Sequence, residues 1–270
     1  LSLHDALPIC DRTAPMAVHL AAGKGTRLRP ITDDRPKPLV ELGGTSLLER
    51  NVETLREGGI DDQLVVTGYL AERIETLGYE TVHNDEYDVT DMVYSLFCAR
   101  ERFPTDRDLV VSYGDIIYER RVVDALLASD AGVAVVVDRE WRRLWEDRFD
   151  EPLDDAETLR VDDHGQIAEI GGETDEIEDI EGQYVGLIKV DADRVESFVR
   201  RYSELEDAQE DAHASVEMTA FLQSLIDDGW DVEAVSIEGG WLEIDTIDDL
   251  KLYRDRHRTG TLDEYVDLRD

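Results

Sequence analysis

A short apolar segment that leads directly into a glycine-rich loop places the strongest constraint on the fold of this chain. The segment Met16–Ala21 is followed by a long loop with several glycines and prolines, as is typical of a buried parallel strand. Ser46 and Glu49 then form a capping box for a helix, which the glycine pair at 58–59 would end. With a further strand at 63–67, the opening of the chain predicts a βαβ unit.

Further strand-like and helix-like segments alternate along the rest of the chain. This alternation predicts a Rossmann-like, doubly wound α/β fold with a mainly parallel sheet, in a single domain over residues 15–258. Residues 138–182 break the alternation, and we expect them to form a small inserted lid. We expect residues 1–14 to be a non-native or disordered extension and residues 259–270 to be a C-terminal tail. The predicted strands are 108–112, 132–137, 166–170, 183–190 and 232–236, and the predicted helices are 119–128, 191–204, 214–228 and 246–258.

The chain is strongly acidic, with 28 lysines and arginines against 65 aspartates and glutamates and a formal net charge of −37. A field of this sign repels nucleic acid, so we expect no nucleic-acid partner. No apolar stretch approaches the roughly 20 residues that span a bilayer, so we expect no membrane partner and a cytoplasmic location. The acids are spread among apolar segments, which favours a surface adapted to a salt-rich cytoplasm over an acidic disordered tail. The sequence leaves room for a homo-oligomer.

The loop after the first strand has the composition of a phosphate-binding turn. Its spacing excludes a P-loop, and Leu28 stands where a dinucleotide fingerprint needs a small residue. What remains is a glycine-rich turn whose backbone N–H groups can face a triphosphate, with an ordinary basic loop as the alternative. The loop also carries a cluster of positive charge that is unusual in so acidic a chain: Lys24, Arg27, Arg29, Arg35 and Lys37.

Two motifs in this loop are characteristic of a known family. Leu-Ala-Ala-Gly-Lys-Gly-Thr-Arg from Leu20, followed by Pro-Lys-Pro-Leu from Pro36, resembles the nucleotidyltransferase superfamily that makes nucleotide sugars and related activated alcohols. Asp-Met-Val-Tyr-Ser-Leu from Asp91, Ser-Tyr-Gly-Asp ending at Asp115 and Trp-Leu-Glu-Ile-Asp-Thr from Trp241 look like one branch of it. That branch contains phosphocholine cytidylyltransferases and cytidylyltransferases for aminoethylphosphonate-type acceptors. One departure is Asp91, because members of the branch often carry asparagine there.

The resemblance implies a site that uses Mg²⁺ as its cofactor. The positions of Asp115 and Asp245 hold Mg²⁺ jointly in the family, although Asp115 is also a plausible turn residue and Asp245 a plausible helix N-cap. No protein nucleophile or general base is needed, because an acceptor phosphate can attack the α-phosphorus in line. Ser95 is implied as a contact for the base, with a helix-facing serine as the alternative. The implied catalytic residues are Arg27, Lys37, Asp115 and Asp245, and the implied nucleotide contacts are Leu20, Ala21, Ala22, Gly23, Gly25, Thr26, Arg27, Lys37 and Ser95.

The acceptor site is less constrained by the motifs. Trp141 and Tyr184, together with Glu169 and Glu217, would form a pocket for an amine or quaternary ammonium group through cation–π and charge contacts. Trp141 is also four residues from Trp145 on a predicted helix, so a core-facing pair is the alternative.

The function implied is transfer of a nucleoside monophosphate, CMP from CTP, to a small phosphorylated or phosphonate acceptor such as phosphocholine or aminoethylphosphonate. The alternative within enzymes is a hexose-1-phosphate nucleotidyltransferase. The alternative from another class is a non-catalytic, nucleotide-sensing regulatory subunit. Such a subunit is expected to lack Lys37, Asp115 or Asp245, and all three are present.

Overall fold

Strands and helices alternate along residues 14–208 and 216–269, which are the part of the chain that the structure, a computed structural model, describes. The predicted extension 1–14 lies outside these residues except for Ala14, as do residues 214 and 215 of the predicted helix 214–228. Within the two ranges, no helix combines the length and the apolar composition that crossing a membrane requires.

The strands are β1 (Met16–Ala21), β2 (Glu41–Leu42), β3 (Thr45–Ser46), β4 (Asp62–Thr67), β5 (Glu80–His83), β6 (Leu109–Tyr113), β7 (Ile116–Tyr118), β8 (Val133–Asp138), β9 (Leu159–Val161), β10 (Ile167–Ile170), β11 (Gln183–Val190), β12 (Val232–Ile237) and β13 (Trp241–Glu243). The helices are α1 (Leu47–Glu57), α2 (Ala71–Glu75), α3 (Met92–Cys98), α4 (Arg120–Leu127), α5 (Trp141–Arg148), α6 (Ala192–Ala208), α7 (Met218–Asp227) and α8 (Ile247–Thr259).

Seven of these strands form the central sheet, in the order β12-β8-β11-β6-β1-β4-β5. β1 is parallel to both of its neighbours, with Met16 opposite Asp62 on one side and Leu109 on the other. β11 is antiparallel to β6 and β8, whereas the other described pairs of this sheet are parallel. The prediction of a Rossmann-like α/β fold with a mainly parallel sheet is confirmed. Because β1 and β6 point the same way, the loops that follow them meet at one edge of the sheet.

The first helix follows the predicted capping chemistry. The Glu49 N–H donates to Ser46 Oγ at 3.2 Å, and the Ser46 N–H donates back to Glu49 Oε2 at 3.1 Å. α1 ends at Glu57, just before the glycine pair, and Gly59 has a φ of 84° that favours glycine. The βαβ opening of the chain was therefore correctly predicted from local sequence.

The sequence predicted the longer strands and two of the long helices within one or two residues, but α6 ends at Ala208 instead of 204 and α7 begins at Met218 instead of 214. Several short elements were missed. The strand expected at 108–112 is β6, and the strand expected at 232–236 is β12. β5, β7 and α2 were not anticipated, because three to five residues give too few periods for a pattern to emerge.

The segment between β8 and β11, where the sequence predicted an insertion at 138–182, lies beside the sheet; Asp138 itself still belongs to β8, and the segment is called the inserted unit below. The unit consists of α5 and the antiparallel hairpin of β9 and β10. It is tied to α7, since the Ile170 N–H donates to Gln223 Oε1 at 2.9 Å, and to β12 through a bridge between Gln166 and Glu233. The inserted unit is thus packed against the domain, and its role as a lid stays a prediction.

The C-terminal residues after 258 pack into the domain and do not form the tail that the sequence predicted. The side chains of Leu262, Tyr265 and Val266 are buried in the main core. The Gly240 N–H donates to the Tyr265 carbonyl oxygen at 2.8 Å, close to the start of β13. The prediction was wrong because these three apolar side chains are buried in the main core and so hold the segment against the domain.

Candidate active site

A two-stranded ladder brings two aspartates together that are far apart in the sequence. β7 and β13 pair in antiparallel fashion, with Ile116 opposite Glu243. Asp115 immediately precedes β7, and Asp245 follows β13 by two residues. The Ile244 N–H donates to the Asp115 carbonyl oxygen at 3.0 Å, which extends the ladder to the two carboxylates.

Two glycines allow the loops after β1 and β6 to approach each other closely. A Cβ on Gly114 would lie 2.4 Å from the carbonyl oxygen of Leu20, so no larger residue fits between the loops. Gly25 has a φ of 57°, and a Cβ there would lie 2.8 Å from Lys37 Cβ. These contacts explain why glycine is needed at position 25 in the loop after β1 and at position 114 in the loop after β6.

Lys37 lies between the two aspartates. Its Nζ is 2.8 Å from Asp115 Oδ2 and also forms an ion pair with Asp245 Oδ1. Burial disfavours the charged ammonium, but Asp115, Asp245 and Glu243 outweigh burial and raise the pKa of Lys37. Burial likewise opposes the charge of Asp245, but Lys37 and Arg27 hold the pKa of Asp245 below its usual value. Arg27 Nη2 is 2.9 Å from Asp245 Oδ2, while its side chain stays 62% exposed.

A third carboxylate, Glu243, completes a group that sequence reasoning did not include. One oxygen from each of Asp115, Glu243 and Asp245 lies within 4.8 Å of the others. Burial and the negative charge of Asp245 together raise the pKa of Glu243 to about 7, against the opposing effect of Arg148. Asp115 Oδ1 is buried without a hydrogen-bond partner in the described part of the chain. Three clustered carboxylates with one unpartnered oxygen fit the oxygen ligands that Mg²⁺ takes.

A buried arginine supports this cluster from behind. The side chain of Arg148, at the end of α5, is fully buried, with Nη1 2.7 Å from Glu243 Oε2 and Nε 3.1 Å from Asp249 Oδ1. Asp249 Oδ2 accepts hydrogen bonds from the backbone N–H groups of Asp245 at 3.0 Å and Thr246 at 2.8 Å. The N-cap of α8 is Thr246, so Asp245 is free of the capping role that was its alternative.

A cavity of about 170 Å³ opens between the loop after β1 and the start of α3. At its back, the buried Asn84 donates to Ser95 Oγ at 2.9 Å and to Thr90 Oγ1 at 3.0 Å. The cavity is lined by backbone and side chains from both sides of the sheet edge: Leu20, Ala21, Ala22, Gly23, Lys37, Pro38, Tyr87, Thr90, Asp91, Met92, Ser95, Gly114 and Asp115.

A second, larger cavity of about 940 Å³ lies against the inserted unit. Burial raises the pKa values of Asp155 and Glu157, and Asp155 also interacts with Arg148 and Asp245 of the carboxylate cluster. The described lining contains six carboxylates and no lysine or arginine: Leu153, Asp155, Ala156, Glu157, Gly171, Gly172, Glu173, Thr174, Asp175, Glu176 and Glu217.

The structure separates the four residues expected to bind the acceptor. Glu217 lines the larger cavity, which is called the acidic cavity from here on because of its six carboxylates. Glu169 is outside the described lining of this cavity and pairs with Arg160 at 3.8 Å. Tyr184 packs edge-on against Tyr113, with ring centroids 5.6 Å apart. Burial raises the pKa of Tyr184; a hydrogen bond with Tyr113 opposes this shift, and the charges of Asp115 and Glu157 add to it.

Trp141 belongs to the core and does not line either cavity described above. It is 4% exposed, and its ring packs edge-on against Trp145 with centroids 6.0 Å apart. The expectation that Trp141 contacts the acceptor is therefore corrected. The four-residue spacing of the two tryptophans reflects the buried face of α5.

Comparison with known proteins identifies the family. The family model for MobA-like NTP transferase domains matches residues 17–210. The chain belongs to this family. It is 37% identical over 248 residues to the CTP:phosphoglutamine cytidylyltransferase of Campylobacter jejuni, covering 87% of this chain and 98% of the relative. It is 30% identical over 170 residues to the UTP–glucose-1-phosphate uridylyltransferase of Haloferax volcanii, covering 57% of this chain and 63% of the relative. The solved structure of CTP:phosphocholine cytidylyltransferase from Streptococcus pneumoniae has the same fold, with a TM-score of 0.69 and 24% identity over 90% of this chain and 98% of that one.

In this NTP transferase, the predicted catalytic residues and nucleotide contacts fall into two adjoining groups. Arg27, Lys37, Asp115 and Asp245 form one connected set of ion pairs. Gly25 and the exposed Thr26 lie at the start of the short helix Thr26–Leu28, next to that set. The remaining predicted nucleotide contacts line the smaller cavity: Leu20, Ala21, Ala22, Gly23 and Ser95.

Sequence reasoning missed Glu243, Arg148, Asp155 and Glu157. Glu243 could have been found, because it is two residues before Asp245 and successive odd positions of a strand share a face. Arg148, Asp155 and Glu157 lie in the inserted segment, where no motif or period marks them.

Proposed function

We propose that this nucleotidyltransferase moves CMP from CTP to a small phosphorylated or phosphonate acceptor that carries a cationic group, with release of pyrophosphate. The observation that carries the proposal is the position of Lys37 between Asp115 and Asp245, at the edge where the small cavity opens. The named activities of the Campylobacter and Streptococcus relatives support CTP as the donor. The acidic cavity supports a cationic acceptor.

The chain's own residues would act by binding, orienting and offsetting charge. An oxygen of the acceptor attacks the α-phosphorus, the new P–O bond forms, and the bond to the leaving pyrophosphate breaks on the opposite side. The exposed guanidinium of Arg27 offsets charge on the pyrophosphate, and Lys37 offsets charge on the α-phosphate. Backbone N–H groups around Gly23, Gly25 and Thr26 orient the triphosphate. Mg²⁺, held by Asp115 and Asp245 with Glu243 beside them, would supply further charge stabilisation on the phosphates.

The acceptor phosphate needs no protein base to become a nucleophile. The second pKa of a phosphate monoester is about 6, so the group is largely dianionic at neutral pH. Lys37 is held as a cation by the neighbouring carboxylates and cannot serve as a base. Catalysis then depends on positioning and charge.

The acidic cavity supports an acceptor with an ammonium group. Asp155 and Glu157 are partly buried, unlike the solvated acids of the surface, and Asp155 interacts electrostatically with Asp245. We infer that an acceptor whose phosphate lies at Lys37 directs its other end toward Glu157 and Glu217, which line the acidic cavity. A cation there offsets repulsion between carboxylates that burial has strengthened.

A pyrophosphate-release screen tests the proposal. CTP, UTP, GTP, ATP and dTTP are each combined with phosphocholine, phosphoethanolamine, aminoethylphosphonate, phosphoglutamine, inositol phosphate and glucose 1-phosphate. We expect turnover with CTP and with acceptors that carry an ammonium group. Glu217→Gln should raise the KM for such an acceptor while leaving the KM for CTP unchanged, whereas Glu196→Gln on α6, outside the described lining of both cavities, should change neither. Turnover with dTTP or GTP and none with CTP would contradict the proposal.

Similarity to the Haloferax uridylyltransferase favours a second candidate, a hexose-1-phosphate nucleotidyltransferase. A hexose is neutral beyond its phosphate, so it would gain no charge complementarity from the six carboxylates of the acidic cavity. Turnover of UTP with glucose 1-phosphate in the same screen would favour this candidate.

A further inference from the structure

A buried asparagine in the first helix holds the turn that carries Asp115. Asn51 lies on α1, and its side chain is fully buried. Its Nδ2 donates to the carbonyl oxygen of Ile116 at 2.8 Å and to that of Tyr113 at 3.3 Å. Because a carbonyl oxygen only accepts hydrogen bonds, these contacts also fix which side of the amide faces the turn. Asn51 thus bridges the residues on either side of Gly114 and Asp115.

The turn is held mainly through its backbone. β6 ends at Tyr113 and β7 begins at Ile116, so only Gly114 and Asp115 connect the two strands, and glycine has no side chain to anchor them. The Asp115 carbonyl oxygen faces β13, where it accepts from the Ile244 N–H at 3.0 Å. Successive carbonyl groups of a strand point to opposite sides, so the Ile116 carbonyl points away from β13. The amide on α1 therefore takes the carbonyl that β13 cannot reach.

The same helix is tied to the segment that carries Lys37. The Leu47 N–H, at the start of α1, donates to the Val40 carbonyl oxygen at 3.1 Å. The Val40 N–H in turn donates to the Lys37 carbonyl oxygen at 3.0 Å. One helix thus contacts the backbone behind Lys37 and the turn behind Asp115, and the side chains of these two residues form an ion pair.

Packing alone does not explain an asparagine at position 51. Its Oδ1 is buried without a hydrogen-bond partner in the described part of the chain, and an unpaired buried oxygen destabilises a fold. The value of the amide therefore lies in the two hydrogen bonds that it donates to the turn. Most of the other buried residues of α1 are apolar: Leu47, Leu48, Val52 and Leu55.

We propose that Asn51 is a positioning residue for Asp115, whose carboxylate it holds at the metal site beside Lys37; the inference rests on the proposed Mg²⁺-dependent transfer. Asn51 is outside the described lining of both cavities, so it acts through the backbone of the turn. Mg²⁺ demands near-ideal octahedral geometry, so a small shift of one ligand weakens its binding. Loss of the amide therefore affects the metal before it affects the nucleotide.

Asn51→Leu removes the amide with little change in volume. We expect kcat to fall about 10- to 100-fold and the Mg²⁺ concentration for half-maximal rate to rise by a similar factor, as when a residue that orients a metal ligand is lost. The KM for CTP should change little, because Asn51 is outside the described lining of the small cavity. The matched control is Leu55→Ala, one turn further along the buried face of α1, which removes core packing but no hydrogen bond. It should leave the Mg²⁺ requirement at the wild-type value.

Asp115→Asn separates positioning from a general loss of stability. If Asn51 acts through Asp115, adding Asn51→Leu to Asp115→Asn should lower kcat by no more than about twofold further. Calorimetric titration with Mg²⁺ alone gives a readout without turnover, and molar KCl screens the acidic surface during it. Asn51→Leu should weaken, by about 10-fold or more, the Mg²⁺ binding that Asp115→Asn abolishes.

Asn51→Ala removes the amide without adding bulk, and it replaces Asn51→Leu in the same measurements if leucine prevents folding. A Mg²⁺ requirement within about twofold of wild type, or a loss of kcat that is repeated in full in the Asp115→Asn background, would overturn the inference. A wild-type protein that binds no Mg²⁺ through Asp115 would overturn it as well. If calorimetry shows the expected weaker binding while no acceptor is turned over, the positioning role stands and the proposed transfer is wrong.

Discussion

The Arg148 guanidinium lies 3.1 Å from Asp249 Oδ1, and this buried ion pair connects the inserted unit to the first turn of α8. The other carboxylate oxygen of Asp249 accepts from the backbone N–H of Asp245. Arg148 also stacks on Trp145, with its guanidinium carbon 4.9 Å from the ring centroid. The position of the Asp245 carboxylate thus depends on a residue that has no place in the recognisable motifs.

Arg148→Met should destabilise the protein strongly. Removing the cation leaves Asp249 and Glu243 buried without their partner, which costs about 3–5 kcal/mol in unfolding free energy. Urea denaturation measures this loss. The control is Arg142→Met on the exposed side of the same helix, where an ion pair with Glu146 contributes no more than about 1 kcal/mol. Equal losses in the two variants would contradict the role of Arg148.

The predicted site residues that the structure brings together are those whose positions depend on local chemistry. The loop glycines, Lys37 and Asp115 lie in motifs that follow parallel strands, and parallel strands place their following loops at one edge. The sheet and the capped helix were predicted for the same reason, because hydrophobic period and capping are local signals. Asp245 was predicted from its motif and was brought to the same edge by β13.

The parts that could not be predicted depend on contacts between distant segments. Nothing near Arg148 in the sequence indicates that it contacts Glu243 and Asp249, because α5 reaches them only through the packing of the inserted unit. Trp141 was misassigned because one spacing of tryptophans describes both an aromatic cage and a buried helix face. The C-terminal residues Leu262 and Tyr265 looked like a tail because their core partners are far away in the sequence.

Lys37→Ala should lower kcat/KM by about 10²- to 10⁴-fold, since one charge contact to the transition state is lost. It should also lower stability without divalent cations, by about 2 kcal/mol, because Asp115 and Asp245 lose the ammonium that lies between them. Added Mg²⁺ should recover much of this stability by replacing the missing cation.

Initial rates and thermal melting, each with and without Mg²⁺, check these expectations. Lys251→Ala is the control, because Lys251 is exposed on α8 and its ion pair is with Asp248, three residues away on the same helix. If Lys37→Ala keeps more than half of the wild-type activity, Lys37 has no role in transfer.

Asp115→Asn and Asp245→Asn should each raise the Mg²⁺ concentration needed for half-maximal rate. The double variant should lower the rate little more than either single variant does. Groups that act as one unit are non-additive in this way. Glu243→Gln should have a smaller effect, since one of its oxygens is held by Arg148 at 2.7 Å. Rates measured across a Mg²⁺ titration distinguish a shared metal site from two independent carboxylates. If the rate losses of the two single variants multiply in the double variant, the carboxylates act separately.

The net charge of −37 predicts that salt will raise both stability and activity. NTP and acceptor are anions, so the acidic surface repels them and also destabilises the compact chain by self-repulsion. At about 0.01 M ionic strength the Debye length is roughly 30 Å, and most of the surface acts on an approaching substrate. At about 1 M it is roughly 3 Å, which leaves the local field of Arg27, Lys37 and the proposed Mg²⁺. Thermal melting and kcat/KM should therefore both rise along a KCl titration at fixed free Mg²⁺. A melting temperature that stays flat up to molar KCl would show that the acidic composition is not an adaptation to salt.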